Sequence, residues 1–202
     1  MKFIAENTTV PIPGNPEYII DVGRSYVVRD YVEGQVLSKA WDHLQEHEKA
    51  MIIAELKGYV NQLRALKPPG YIGSLDRGRC RDCRMFSMSC GPFDNEAQFN
   101  NHLVSVLRTH LASPIYRMFL TRMMREDHKI VFTHADLHWN NIIVKDGHVA
   151  AIVDWEMAGW YPEYWEYCKA LYNEKFDTDW CMRVRDFLEP YDYEYAVDKL
   201  LL

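Results

Sequence analysis

The sequence predicts an α+β protein with a short β-containing start and a mostly helical body interrupted by one hydrophobic β-hairpin. Three observations carry this expectation. Apolar residues recur at helical spacing over residues 45–66 and again over 94–111. Two β-rich runs, Ile142-Ile143-Val144 and residues 149–153, flank Lys145-Asp146-Gly147-His148, and Asp-Gly between such runs is a strong hairpin signal. The chain has 202 residues and is 48% hydrophobic, enough to bury one substantial core within the size of a single domain.

Taken in order, residues 1–8 read as the tail of a helix, and the Pro/Gly-rich residues 11–16 as a turn. Strands are expected near 18–22 and 25–32. Ile52, Leu56, Tyr59, Leu63 and Leu66 form the apolar face of a helix that Lys67-Pro68-Pro69-Gly70 stops, and this helix should pack on the hairpin. Residues 70–92 are loop-rich. Asp94 is a candidate N-cap for a helix carrying Phe99, Leu103, Val106, Leu107 and Leu111. Ser113-Pro114 reads as cap and first position of another, ending near Arg125. Helices at 162–173, 179–188 and 192–202 complete the expectation.

One segment carries chemistry. His134-Ala135-Asp136-Leu137-His138 is followed by Asn141, then by Ile152-Val153-Asp154-Trp155. Transfer of a γ-phosphoryl group needs a carboxylate to receive the proton of the attacking hydroxyl, and oxygen ligands to hold Mg²⁺ against the nucleotide phosphates. Asp136 suits the first task; Asn141 and Asp154 suit the second. With the turn centred on Asp146-Gly147, residue 141 should pair with residue 152. That register puts Asp154 two positions further on, roughly 7 Å along the ladder at about 3.4 Å per residue.

This pattern resembles the catalytic core of the aminoglycoside phosphotransferase family, small-molecule relatives of the protein kinases. The family pattern is His-x-Asp-x-x-x-x-Asn, a hydrophobic hairpin, then Asp followed by Phe or Trp; here it is His134, Asp136, Asn141 and Asp154-Trp155. Residues 26–34 resemble its hinge strand, and residues 71–74, 91–93 and 160–167 resemble recurring segments of fungal-type members. The resemblance implies a protein-kinase-like fold, with residues 1–34 as the remnant of a truncated N-terminal lobe and hinge and 35–202 as the catalytic and substrate-binding lobe. It also implies roles: Asp136 as catalytic base, His134 as a brace of its loop, Asn141 and Asp154 as Mg²⁺ ligands. Asp30 and Val32 would offer backbone groups to the adenine of ATP. Trp155, Glu156, Trp160 and Tyr161 would line the pocket for a small hydroxylated acceptor.

Two departures bear on activity. No glycine-rich hairpin or strand lysine precedes residue 26, and Arg29 stands where the family has an apolar residue lining the adenine pocket. Both weaken the positioning and charge stabilisation on which phosphoryl transfer depends. The alternative expectation is therefore a catalytically inactive kinase-fold binding protein or a fragment of a longer kinase.

The net charge of −6 argues against nonspecific nucleic-acid binding, which uses clustered Lys and Arg. No apolar run reaches the ~18 residues of a membrane span, and the five cysteines, an odd number without a secretory signal, fit a reducing compartment. A cytoplasmic location is expected. Cys80, Cys83 and Cys90 leave open either a zinc site, with His102 as fourth ligand, or free thiols. His134, Asp136 and His138 leave open a metallohydrolase, although Asn141 and Asp154 are then unexplained.

Overall fold

The computed structural model describes residues 1–14, 17–82, 89–106, 113–172 and 178–201. Helix α1 (Lys2–Asn7) buries Ile4. After it, β1 (Glu17–Asp21) and β2 (Arg24–Val28) form an antiparallel ribbon with Tyr18 opposite Val27 and Ile19 opposite Tyr26. Its turn uses Val22 (φ 45°) and Gly23 (φ 75°), the pair of positive φ angles whose twist matches that of the strands. The second strand ends at Val28, short of residue 32; beyond it, the Asp30 N–H donates to the Gly14 carbonyl at 3.1 Å. Among the described residues no third strand joins the ribbon, and Tyr18, Ile20 and Val27 are exposed.

Strand β3 (Gln35–Val36), absent from the sequence expectation, pairs with β7 (Ile142–Lys145) and so widens the hairpin of β7 and β8 (His148–Ile152) to three strands. Gly34 permits this join. It has φ 144°, and a Cβ there would lie 2.6 Å from the Val144 carbonyl oxygen. Gly34→Ala is expected to destabilise the fold by about 1–3 kcal/mol, the usual cost of forcing a side chain into a disfavoured, crowded backbone site. Urea denaturation would check it; an unchanged midpoint would show that the β3–β7 contact is not held this tightly.

Helix α2 (Leu37–Ala40) leads to α3 (Glu46–Arg64), which starts with a reciprocal cap. The Gln45 side chain accepts from the Glu48 N–H, and Glu48 accepts from the Gln45 N–H at 2.8 Å. The helix buries Ile52, Ile53, Leu56, Val60 and Leu63 and packs on β8, on β6 (Ile130–Thr133) and on α7 (Thr178–Phe187). The expected packing on the hairpin is therefore present, with Val60 rather than Tyr59 fully inside. Edge-on packing of Trp41 on Trp180 at 5.5 Å, with the Trp41 indole N–H donating to Asp179 at 2.5 Å, fastens α7 to this core.

The segment read as loop contains two short paired strands, β4 (Cys80–Arg81) and β5 (Ser89–Cys90). Helix α4 (Glu96–Ser105) is capped by Asn95, whose side chain accepts from the Gln98 N–H at 2.9 Å; Asp94 instead pairs with Arg77. Leu107 and Leu111 lie outside the described residues. Ser113 caps α5 (Pro114–Met123) as expected, its hydroxyl accepting from the Tyr116 N–H at 3.2 Å.

The largest correction concerns residues 159–164. They do not lead directly into a helix at 162: β9 (Gly159–Pro162) pairs antiparallel with β6, and α6 (Trp165–Ala170) starts only afterwards. Helix α8 (Asp192–Lys199) ends the fold. No helix of the described residues is long and apolar enough to cross a membrane.

Candidate active site

Asp146 (φ 50°) and Gly147 (φ 77°) form the hairpin turn expected from their identity. A bulge between Ile143 and Val144 then slips the register by one residue. Ile142 faces Ile152, and the Asn141 carbonyl accepts from the Val153 N–H at 2.9 Å. Asn141 therefore lies opposite residue 153, not 152, and Asp154 is one step from it rather than two.

Asp136 reaches the same place from β6. The chain turns at Ala135, whose φ of 63° is unusual for a residue with a side chain. The buried Glu166 holds this turn, its two carboxylate oxygens accepting from the His134 N–H at 2.6 Å and the Ala135 N–H at 3.0 Å. The Asn141 amide nitrogen donates to the Asp136 carboxylate at 2.8 Å and to the Asp136 carbonyl at 2.9 Å. That amide thus uses both N–H bonds on Asp136 and keeps its oxygen for another partner.

His134 ties the two acidic segments together. Fully buried, it accepts at Nδ1 from the Asp136 N–H at 3.2 Å, so its Nε2–H donates to the Val153 carbonyl at 3.0 Å. Burial pushes its pKa down to about 4, keeping the ring in this neutral, singly protonated form. Trp155 packs on the ring at 4.5 Å and donates its indole N–H to the Ile152 carbonyl at 2.8 Å. Asp154 follows Val153 in a left-handed conformation, φ 64° and ψ 56°. Among the described residues, no hydrogen bond or ion pair engages its carboxylate. With both ring nitrogens occupied, His134 has no lone pair for a metal, and the metallohydrolase arrangement is not formed.

The remaining expected residues divide. Trp155 and Glu156 border a cavity of about 210 Å³ whose walls include Ile4, Leu75 and Phe132. Trp160 and Tyr161 do not face it. On opposite faces of β9, both buried, they are 3% and 1% exposed, with Trp160 against Phe132 and Tyr161 stacked on Trp165. Their aromatic character serves the core. Asp30 and Val32 lie between β2 and β3, in the stretch that joins the ribbon to the three-stranded sheet.

Sequence reasoning missed Glu166 and a buried charge pair. Lys169 Nζ lies 2.9 Å from Asp82, both side chains 2% exposed, and connects α6 to the residue after β4. The signal was present: Glu and Lys inside the otherwise aromatic and apolar stretch of residues 164–171, where a charge must find a partner.

Comparison with solved structures places the fold. The chain superposes on the ADP-bound aminoglycoside phosphotransferase APH(2'')-Ib with TM-score 0.59 at 14% identity, covering 98% of this chain and 67% of that one. For aminoglycoside-3'-phosphotransferase of type VIII the values are 0.59, 16%, 99% and 76%. For a thermostable mutant of APH(4)-Ia in complex with ADP and hygromycin B they are 0.57, 14%, 98% and 72%. The chain is shorter than each of these, and its fold is the kinase-like one of the aminoglycoside phosphotransferases. A sequence profile of the phosphotransferase enzyme family matches residues 20–199, and the chain belongs to that family. No curated protein matches it.

Proposed function

We propose that this chain transfers the γ-phosphoryl group of ATP to a hydroxyl of a small molecule, with Asp136 as the catalytic base. The observation that carries the reading is the Asp136–Asn141 hydrogen bond beside Asp154. One carboxylate is oriented by an amide, and the second is without a hydrogen-bond or ion-pair partner among the described residues. The relatives with ADP, and with ADP and hygromycin B, support nucleotide use and a hydroxylated acceptor.

The donor set fits a magnesium ion. The Asn141 amide oxygen and the Asp154 carboxylate are hard oxygen donors on adjacent positions of paired segments. These two residues would hold the ion, whose positive charge would offset that of the nucleotide phosphates. Asp136, held by Asn141, would orient the acceptor hydroxyl and take its proton. His134 would keep the two loops at a fixed separation, and as a neutral ring it would take no part in proton transfer. Asp30 and Val32 would hold the adenine through backbone groups; residues 1–34 would be the remnant of an N-terminal lobe and hinge, and 35–202 the catalytic and substrate-binding lobe. Trp155 and Glu156 would border the acceptor.

The test is ADP release from Mg²⁺-ATP over a panel of hydroxylated amines and sugars, paired with calorimetric titration of the nucleotide. Acceptor-dependent ADP release that EDTA abolishes is the expected result. Nucleotide binding without release for any acceptor would instead assign the chain as a kinase-fold binding protein.

A further inference from the structure

The Cys80 and Cys90 thiols lie outside the phosphoryl-transfer machinery, yet the fold places them directly opposite one another. They are register partners on β4 and β5, and both belong to the buried cluster that includes Ile72, Phe99 and Tyr161. Opposite residues of an antiparallel pair have Cα atoms about 4.5 or 5.5 Å apart, depending on the hydrogen-bonding position. Either value falls within the roughly 4.4–6.8 Å that a disulfide spans. The two thiols are free and hydrogen-bond each other.

We propose that Cys80 and Cys90 form a reversible intrachain disulfide when the protein meets hydrogen peroxide. Two electrons pass from the thiols to the peroxide. One thiolate of the pair attacks an oxygen of hydrogen peroxide, the O–O bond breaks, and a cysteine sulfenic acid and hydroxide result. The opposite sulfur then displaces the sulfenic hydroxyl. The two thiol protons, together with the two hydrogens and two oxygens of hydrogen peroxide, leave as two waters.

The two thiols have inequivalent surroundings. The hydrogen bond from Cys80 is the main cause lowering the Cys90 pKa; burial and then Asp82 oppose it, and the nearby Arg79 helps. The same bond, then burial, raises Cys80, which also has the Tyr161 hydroxyl beside it. A thiolate is the nucleophile in this chemistry, and whichever sulfur is oxidised first has the other directly across the strand pair to resolve it. Each side chain is nearly inaccessible, 1% and 2% exposed, which favours an oxidant as small as hydrogen peroxide.

The pair also touches the candidate active site. Arg81, next to Cys80, lies 2.9 Å from Glu156, and β4 packs on the turn of residues 155–157 that follows Asp154. A covalent link between β4 and β5 would tie down the arm that makes this contact.

The experiment treats fully reduced chain with hydrogen peroxide, alkylates the remaining thiols under denaturing conditions, and maps peptides by mass before and after dithiothreitol. The expected product joins Cys80 to Cys90 and leaves Cys168 and Cys181 alkylated. It should form equally in Cys83→Ser, be absent in Cys90→Ser, and disappear on reduction. Cys83 lies outside the described residues and is the natural competitor. A link that involves Cys83 and vanishes in Cys83→Ser would overturn the proposal. So would Cys90 sulfinic acid with Cys80 still alkylated, or five alkylated thiols after treatment.

Discussion

Asp136→Asn is expected to lower acceptor-dependent ADP release by about 10²–10⁴-fold, the usual share of a positioned general base. The substitution keeps the shape of the side chain and one oxygen able to accept from the Asn141 amide, so the 2.8 Å contact can persist. Its amide has no basic oxygen to receive the hydroxyl proton. Nucleotide affinity should change little, because the proposed metal ligands are Asn141 and Asp154. Steady-state kinetics with parallel calorimetry separates the two effects. A variant that turns over at the wild-type rate would remove Asp136 from the role of base. A variant that loses nucleotide binding together with turnover would show that Asp136 serves the metal instead.

Glu166→Gln is expected to weaken the fold most at mildly acidic pH. The wild-type carboxylate accepts from two buried backbone N–H groups, of His134 and Ala135. An amide offers one oxygen and turns an N–H₂ toward the other donor, leaving a buried N–H unsatisfied at about 1–3 kcal/mol. Burial is the main cause raising the Glu166 pKa, to about 7; Arg64 and the backbone donors oppose it. A carboxyl whose folded value lies above its unfolded value of 4.5 contributes stability that is complete below that unfolded value. That contribution is lost as pH rises through the folded one. Wild type should therefore lose stability between about pH 5 and 8 at this position, whereas the glutamine variant cannot titrate there. The gap between the proteins should narrow as pH rises. Denaturant midpoints across that range would measure it, and a constant or widening gap would mean that Glu166 stays ionised throughout.

Glu166 also shows why the site was only partly legible beforehand. His134, Asp136, Asn141 and Asp154 stood out because their types and spacing are demanded by one chemistry and lie within a short stretch of chain. Asp146-Gly147 announced its turn because few residue pairs tolerate two successive positive φ angles. The bulge at Ile143/Val144 had no such mark. Bulges answer to how a strand packs on its neighbours, here β7 beside β8 and α3 behind it, so the register of Asn141 and Asp154 shifted by one residue. Trp160 and Tyr161 were similarly ambiguous, since an aromatic ring serves a pocket or a core equally well. The pairing of β9 with β6, distant in sequence, turned them inward.

What the sequence determined by itself is therefore local: helix faces and stops, the hairpin turn, and the identity of the residues able to perform phosphoryl transfer. Tertiary structure alone decided the partners of isolated groups. These include Glu166 on the loop of His134, Lys169 on Asp82, Cys80 against Cys90, and Gly34 against Val144. The physical reason is range. Backbone propensity and side-chain periodicity act over a few residues, whereas a buried charge, a thiol or a close backbone contact is satisfied by whichever distant segment the packed core brings beside it.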